Sequence, residues 1–186
     1  QVARAKKTAI AEGRTILFID ESAFYLLPGV VRTWAPKGQT PILSCKLTYD
    51  HYSVISAISP AGELYLAMQT TAFDSQAVIA FLEQLLAAIV GKLLIVWDGA
   101  TIHRSQAIKD FLAAGAAERL WLERLPAYAP DLNPDEAIWH YLKHVELKNV
   151  CCQDLPQLGQ QIRDAAERLK AKPHIITACF AVLDNY

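Results

Sequence analysis

The sequence predicts an α/β fold in which a mixed β-sheet is covered by helices on both faces. Residues 15–19 and residues 93–97 are each continuously apolar, as is typical of central strands buried on both sides. Between them, two segments rich in β-branched and aromatic residues flank a Pro-Ala-Gly turn, which predicts a hairpin. Beyond residue 74, apolar residues recur at helical spacing between the remaining strands. A hairpin followed by helix-crossed strands favours a mixed sheet.

The first half of the chain is predicted to be mostly β-structure. The first strand covers residues 15–19 and ends at Asp20. Pro28-Gly29 predicts a turn, after which residues 30–35 can form a short strand before a second turn at residues 36–38. The hairpin strands are then residues 45–58 and residues 63–69.

The second half is predicted to alternate helices and strands. A helix begins near residue 74, where either Asp74 or Ser75 can serve as the N-cap, and Gly91 ends it. The apolar strand at residues 93–97 leads directly to Asp98. The remaining elements are expected to be a helix at residues 105–114, a strand at residues 119–123, a helix opening near Pro134, and a helix at residues 155–169 that Pro173 ends.

This order of elements matches the ribonuclease-H-like architecture, a mixed five-stranded sheet with helices on both faces. A doubly wound, flavodoxin-like sheet is the alternative, and the early hairpin disfavours it. We expect three parts: a basic lead-in at residues 1–14, a ribonuclease-H-like domain at residues 15–150, and a helical extension packed on it at residues 151–186.

Composition sets limits on function. The chain has 186 residues, of which 53% are hydrophobic, so a substantial core is expected rather than disorder. No apolar run approaches the roughly 18 residues of a membrane span. The net charge of −1 argues against tight DNA binding by this chain alone, but not against chemistry on DNA. The only methionine is Met68, so we interpret the sequence as a piece of a longer protein.

Two aspartates follow the two continuously apolar strands. In open α/β sheets, ligand sites lie beyond the carboxyl ends of parallel strands. If the strands are neighbours, about 4.8 Å apart, Asp20 and Asp98 project into one site. Carboxylates so close repel each other unless a cation lies between them, and oxygen ligands suit Mg²⁺ or Mn²⁺. Taken singly, each aspartate can instead be a turn former.

A third carboxylate is available where the helix near Pro134 begins. Asn133 fits the N-cap and Pro134 the first helical position. Glu136 lies three residues after Asn133, where a capping-box glutamate belongs, so it has a structural explanation as well. Asp135 is a second candidate and favours the helix dipole.

Four sequence blocks resemble the mariner superfamily of transposases, and its bacterial insertion-sequence branch most closely. They are FIDES around Asp20, RTWAPKGQTPIL at residues 32–43, WDGATIHRS around Asp98, and LPAYAPDLNPDEAIWHYLK around Glu136. The blocks occur in the family's order between about residues 16 and 143. The third carboxylate block is the most specific, with Pro-Asp-Leu-Asn-Pro followed by an acidic residue and a tryptophan.

The resemblance implies a DDE (Asp-Asp-Glu) transposase domain whose catalytic metal ligands are Asp20, Asp98 and Glu136. Residues 15–150 are then the catalytic domain, and the lead-in at residues 1–14 comes from an upstream DNA-binding region. They are expected to bind Mg²⁺, with Mn²⁺ as a substitute, as two ions. The implied reaction is cleavage of double-stranded DNA at transposon ends, followed by transfer of the 3′ ends into a TA target by a homodimer. The expected location is the cytoplasm of a bacterium, acting on chromosomal or plasmid DNA. Expected DNA contacts are Arg32, Trp34, Lys37, His103, Arg104, Tyr128 and Lys143.

Two alternatives remain open at the level of sequence. The first is another metal-dependent nuclease of ribonuclease-H-like architecture. The second is a domesticated remnant that binds DNA or dimerises without catalysis. The presence of all three acidic residues counts against the second alternative.

Overall fold

The computed structural model describes residues 2–27, 29, 32, 34–40, 42, 48–126 and 132–181. Within them, five strands form one mixed sheet with the order β3-β2-β1-β4-β5. The strands are β1 (Thr15–Tyr25), β2 (His51–Ile58), β3 (Leu64–Gln69), β4 (Leu93–Trp97) and β5 (Leu120–Arg124). The predicted mixed five-stranded sheet is therefore confirmed.

The two halves of the sheet differ in strand direction. β1 pairs with β2 and β2 with β3 in antiparallel register, as the predicted hairpin requires. β1 pairs with β4 and β4 with β5 in parallel register, because helical crossovers connect these strands. β1 is thus the strand at which the antiparallel half meets the parallel half.

Helices cover both faces of the sheet, and each face has its own apolar core. One core contains Leu17, Ile19 and Ile95 together with the buried residues of α2 and α3. The opposite core contains Phe18, Leu94 and Val96 together with residues of the other four helices. The helices are α1 (Val2–Ala11), α2 (Ser75–Ala88), α3 (Gln106–Ala113), α4 (Asp135–Tyr141), α5 (Leu155–Lys170) and α6 (Pro173–Cys179).

The N-caps explain where several helices begin. Asp74 accepts a hydrogen bond from the Ala77 backbone N–H at 2.8 Å, so the cap of α2 is Asp74 rather than Ser75. Ser105 caps α3 in the same way, and Asp154 caps α5. Immediately after α4, residues 142–146 form a π-helical turn, closed by a hydrogen bond from the Leu147 N–H to the Leu142 carbonyl at 2.9 Å.

Three elements differ from the sequence-based expectation. β1 does not end at Asp20 but continues to Tyr25, because β2 supplies an antiparallel partner along its whole second half. Residues 2–11, expected to be part of a basic lead-in, form a helix whose Ala5 and Ala9 are buried in the core. Pro173 does not only follow α5 but occupies the first turn of α6, where a proline costs no hydrogen bond.

Part of the segment between β1 and β2 lies outside the described residues. The short strand expected at residues 30–35 falls largely there, as does the first part of the strand expected at residues 45–58. The turn expected at residues 36–38 is present, with a hydrogen bond from the Gln39 N–H to the Pro36 carbonyl and a positive φ of 85° at Gly38. Across the described ranges, no helix is long and apolar enough to cross a membrane.

Candidate metal centre

The parallel pairing of β1 and β4 places the first two predicted ligands side by side. Phe18 is the register partner of Val96, so two residues further along each strand Asp20 stands opposite Asp98. Adjacent strands are about 4.8 Å apart. The two strands are therefore neighbours, as the shared site requires, and Asp20 lies within its strand rather than at its end.

Asp20 is a half-buried carboxylate with one oxygen already engaged. Its Oδ2 accepts a hydrogen bond from Trp139 Nε1 at 2.9 Å. Burial raises the pKa of Asp20, to about 7 overall. The hydrogen bond from Trp139 lowers this pKa, whereas the nearby charges of Glu136 and Glu21 also raise it. Burial is the largest cause, because removing a carboxyl from water disfavours its charged form.

Asp98 follows the last residue of β4 and is 52% exposed. Its Oδ1 accepts a hydrogen bond from the Ala100 backbone N–H at 2.9 Å, which is the geometry of an Asx turn. The turn-forming role considered from the sequence is therefore real. It engages Oδ1 of Asp98, and Oδ2 remains available to bind a cation.

The start of α4 is anchored to the sheet by Asp135. This side chain is completely buried, and its Oδ1 accepts a hydrogen bond from Ser56 Oγ at 2.7 Å, whereas Oδ2 has no partner. Burial raises the pKa of Asp135 well above its usual range, opposed by the Ser56 hydrogen bond and reinforced by the charges of Asp20, Glu136 and Glu21. Ser56 is itself the β2 register partner of Asp20.

Glu136 is exposed, whereas its neighbour Asp135 points into the core. A capping-box glutamate would accept a hydrogen bond from the Asn133 backbone N–H. No hydrogen bond of that kind engages Glu136 within the described part of the chain. Asn133 Oδ1 instead accepts from the Asp135 backbone N–H at 3.3 Å. Glu136 is near enough to Asp20 to raise its pKa by charge repulsion, so the structure groups Glu136 with Asp20 and leaves its carboxylate unengaged.

β1 carries a second carboxylate, Glu21, on the face opposite to Asp20. Its Oε1 is 3.0 Å from His103 Nε2, and His103 Nδ1 is 2.9 Å from Asp98 Oδ1. Burial lowers the pKa of His103, but the hydrogen bond with Glu21 and the charges of Glu21 and Asp98 outweigh that effect and raise it overall. The side chain of His103 is 1% exposed, so in this conformation it offers no surface to a DNA phosphate.

The other predicted DNA contacts differ in their burial. Lys143 is half-buried, its Nζ donates a hydrogen bond to Ser22 Oγ at 2.7 Å, and it lies 5.1 Å from the centre of the Phe24 ring. Burial lowers the pKa of Lys143, while the charges of Glu136 and Asp20 act in the opposite direction. Four further predicted contacts are exposed, and a fifth, Tyr128, lies outside the described residues. The exposed ones are Arg32, Trp34, Lys37 and Arg104.

Sequence reasoning missed several residues of this edge. Trp139 is buried, and its indole N–H donates a hydrogen bond to Asp20. Arg124 was not considered, yet its side chain lies 3.3 Å from where a Cβ on Gly99 would be, directly after Asp98. The available signal for Arg124 was a basic residue at the carboxyl end of a strand predicted to be parallel to β4.

The carboxylates do not form a ready-made ligand set in this conformation. Among the described residues, no three His, Cys, Asp or Glu side chains are grouped closely enough to hold a metal ion. Asp20, Asp98 and Glu136 nevertheless share one edge, and each keeps a carboxylate oxygen without a hydrogen bond inside the described ranges. In this conformation the site is therefore an acidic edge whose carboxylates are not yet grouped as metal ligands.

Comparison with known proteins assigns the family. The family model described as DDE superfamily endonuclease matches residues 15–159, which is more than half of the chain. No curated protein sequence matches.

Solved structures of Mos1 mariner transposase share the fold. A pre-cleavage Mos1 transpososome has a TM-score of 0.67 at 15% identity, covering 97% of this chain and 59% of that one. The mariner Mos1 paired end complex with Mg has a TM-score of 0.63 at 17% identity, with coverage of 96% and 58%. The isolated catalytic domain of Mos1 has a TM-score of 0.57 at 16% identity, with coverage of 96% and 86%.

These likenesses confirm the predicted ribonuclease-H-like architecture. The chain spans somewhat less than three-fifths of the transposase chains in the two Mos1 complexes above and most of the isolated catalytic domain. With the family model matched from β1 into α5, the chain belongs to the DDE superfamily endonucleases.

Proposed function

We propose that this chain is the catalytic domain of a transposase that cleaves DNA at transposon ends and joins the 3′ ends to a target. The observation that carries the proposal is the acidic edge itself. Asp20 and Asp98 are side by side on parallel strands, Glu136 is unengaged beside them, and the pKa of Asp20 is raised to about 7. In a DDE endonuclease family, this cluster is best explained as a binding site for divalent cations.

The residues present fit such cations. Asp135 Oδ2 is buried without a partner beside the cluster, and unpaired buried carboxylate oxygens are expensive unless a cation is near. Asp20, Asp98 and Glu136 would hold Mg²⁺ or Mn²⁺, which prefer carboxylate oxygens. When bound, two such ions supply Lewis-acid stabilisation of the phosphate and make water, or a DNA 3′-hydroxyl, a better nucleophile. The Mos1 complex with Mg supports this choice of ion.

The protein's own contribution is to position these carboxylates. Trp139 donates a hydrogen bond to one oxygen of Asp20 and thereby restricts the orientation of its carboxylate. Asp135 ties the first turn of α4 to Ser56 on β2, which fixes where Glu136 emerges. Because both anchors come from α4, Asp20 and Glu136 are held by the same helix.

Several basic and aromatic residues are proposed to bind the DNA backbone. Lys143 is closest to the acidic cluster, as its electrostatic coupling to Glu136 and Asp20 indicates, and Arg124 lies over the turn that follows Asp98. Arg32, Trp34, Lys37, Arg104 and Tyr128 are further proposed contacts. Such phosphate contacts orient DNA without reading its sequence, so the preference for a TA target is a separate expectation.

Pairing of two protomers on two transposon ends is also proposed. The matched Mos1 structures include a complex named as paired-end, and Trp34 is fully exposed, which makes it available to a partner protomer or to DNA. The cytoplasmic, bacterial setting expected from the sequence stays a prediction.

Substitution of the ligands tests the proposal directly. We expect Asp98→Ala and Glu136→Ala each to abolish metal-dependent cleavage of duplex DNA while circular dichroism shows a folded domain. Asp110→Ala is the matched control, because it removes a carboxylate from α3 that accepts a hydrogen bond only from Gln106 among the described residues. Retained cleavage in either ligand variant would contradict the assignment.

A strand-joining assay separates the transposase from another metal-dependent nuclease. Pre-cut transposon-end DNA carrying a free 3′-hydroxyl is offered together with a target duplex. Joined products support the transposase, and hydrolysis without joining supports the simple nuclease. Absence of Mg²⁺ and Mn²⁺ binding in calorimetry would instead support a non-catalytic remnant.

A further inference from the structure

A buried histidine connects the two strands that carry the first two proposed ligands. His103 belongs to a short 3-10 helix after β4, at residues 101–104. Its Nε2 is 3.0 Å from Glu21 Oε1 on β1, and its Nδ1 is 2.9 Å from Asp98 Oδ1. The chain of contacts therefore runs from Glu21 through the imidazole to Asp98, the ligand proposed for β4.

The imidazole of His103 has little freedom to move. Its ring is stacked on the indole of Trp97, with ring centroids 4.3 Å apart and an interplanar angle of 2°. The side chain is 1% exposed, whereas Asp98 is 52% exposed. A rigid, enclosed ring thus contacts the exposed carboxylate of Asp98. Among the described residues, the hydrogen bond to this carboxylate comes from the Ala100 backbone N–H.

The contact between His103 and Asp98 is close but incompletely formed. Although Nδ1 and Oδ1 are 2.9 Å apart, the Asp98 oxygen is not aligned with the ring N–H, and Nδ1 is a buried nitrogen without a hydrogen-bond partner. A buried donor of this kind costs free energy until it is satisfied. A small rotation of the Asp98 carboxylate would align the pair, and that rotation also changes where its second oxygen points.

Glu21 connects this contact to the other ligand. It directly follows Asp20 in β1, and successive side chains of a strand point to opposite faces. Asp20 accordingly meets Trp139 of α4 on one face, and Glu21 meets His103 on the other. The bridge thus ties the loop that carries Asp98 to the residue next to Asp20.

We propose that His103 and Glu21 are positioning residues that set the orientation of Asp98 relative to Asp20 for metal binding. This inference rests on the proposed metal site and deepens it. Glu21 orients the imidazole, and the imidazole in turn orients the Asp98 carboxylate. Hydrogen-bonded partners of metal ligands generally change metal affinity by about 10- to 100-fold when they are removed, so the effect is measurable without an activity assay.

Three substitutions isolate the bridge. His103→Phe retains a flat ring against Trp97 but removes both nitrogens, and Glu21→Ala removes the acceptor that orients the ring. Glu21→Gln keeps an oxygen that accepts from Nε2–H and serves as the rescue variant. Arg119→Ala is the control for general destabilisation. Arg119 donates three hydrogen bonds to backbone carbonyls just before β4, at the end of the parallel strands opposite to Asp98.

The first measurement is the Mn²⁺ dissociation constant of the folded 186-residue chain, obtained from the paramagnetic resonance signal of free Mn²⁺. We expect His103→Phe and Glu21→Ala to weaken binding about tenfold or more, and Glu21→Gln and Arg119→Ala to stay within about twofold of the unsubstituted chain. Unchanged affinity in His103→Phe would overturn the positioning role while leaving the proposed metal site intact. If Glu21→Ala does not fold, His103→Phe carries the comparison alone.

A second measurement needs no metal and keeps the two proposals distinguishable. The three-bond couplings of the Asp98 methylene protons report whether its side chain is fixed in one rotamer. We expect a fixed rotamer in the unsubstituted chain and rotamer averaging in His103→Phe. If the chain binds no Mn²⁺, the proposed function fails, and these couplings still decide the bridge: identical couplings in both proteins refute it.

Discussion

Two groups of buried or half-buried acidic side chains in this protein have opposite electrostatic surroundings. At the edge of the sheet, Asp20 lies among other carboxylates, and burial together with the charges of Glu136 and Glu21 raises its pKa to about 7. Beyond the π-helical turn, Glu146 accepts hydrogen bonds from Lys172 Nζ at 2.8 Å and Arg168 Nε at 2.6 Å.

The second group is a structural ion-pair cluster. Burial raises the pKa of Glu146, but the hydrogen bonds from Lys172, Arg168 and Tyr141 outweigh it and lower the pKa below its ordinary value. The cations come from α5 and the start of α6, so the cluster fastens the C-terminal helices to the helix that carries Glu136. The difference teaches that Glu146, which serves the fold, is paired directly with cations, whereas Asp20 accepts a hydrogen bond from the neutral indole of Trp139 at a place where a cation from solution is proposed to bind.

The largest expected effect separates the two groups by substitution. Glu136→Gln should remove detectable Mn²⁺ binding and leave the free energy of unfolding of the metal-free chain unchanged or slightly increased, because one charge leaves a repelling cluster. Glu146→Gln should leave Mn²⁺ binding unchanged. Calorimetric titration with Mn²⁺ and urea unfolding measure the two quantities. If Glu136→Gln binds Mn²⁺ as well as the unsubstituted chain does, the proposed contrast between a metal-binding edge and a structural ion-pair cluster is wrong.

The next effect is on the pH dependence of metal binding. With a pKa of about 7 in the metal-free chain, Asp20 must lose a proton before a cation can bind to it. Affinity for Mg²⁺ should therefore fall as the pH drops below about 7, approaching tenfold per pH unit, and should level off above it. Titrations in buffers of different ionisation enthalpy measure the released proton. Affinity independent of pH across this range would show that Asp20 is already ionised.

A smaller effect is expected at Asp135, whose folded-state pKa is raised well above its usual range chiefly by burial. A raised acid pKa means that stability is lost as the pH rises through the interval between the unfolded and folded values. Asp135→Asn, which keeps an oxygen for Ser56, should therefore stabilise the metal-free chain near neutral pH by about 1–3 kcal/mol. The gain should shrink in acid. Urea unfolding at several pH values tests this, with Asp110→Asn as an exposed control.

The smallest effect is expected at Glu146, where the sign is reversed. Its lowered pKa contributes stability that is present above the unfolded-state value and is lost as the pH falls through the folded-state value. Glu146→Gln should lower the free energy of unfolding by about 1 kcal/mol near neutral pH, because the cationic partners are substantially exposed. The difference should vanish in acid. A loss that persists below the folded-state pKa would mean that packing rather than charge is responsible.

The sequence predicts those parts of this protein that depend on local pattern. The apolar runs at residues 15–19 and 93–97 are buried strands, and the helical periodicity after residue 74 is α2. The continuation of β1 to Tyr25 was not predicted, because its second half contains Asp20, Glu21 and Ser22, and only the pairing with β2 makes it a strand.

The contacts that shape the site depend on distant residues and could not be predicted. Trp139 is buried in the core, and its hydrogen bond joins it to Asp20, 119 residues away. His103 similarly meets Glu21 from 82 residues away. A lone histidine or tryptophan carries no signal of its partner, so the block resemblance could identify the ligands but not the side chains that hold them.

The π-helical turn at residues 142–146 has a consequence for how the chain tolerates insertions and deletions. A π turn is wider than an α turn by one residue, which lets Lys143 reach Ser22 beside the acidic edge while Glu146 reaches Lys172 and Arg168. Deleting one residue here would restore ordinary helical phase and rotate everything after it. The number of residues in this turn therefore links the acidic edge to the C-terminal helices, and a one-residue deletion would break that link without altering any residue of either region.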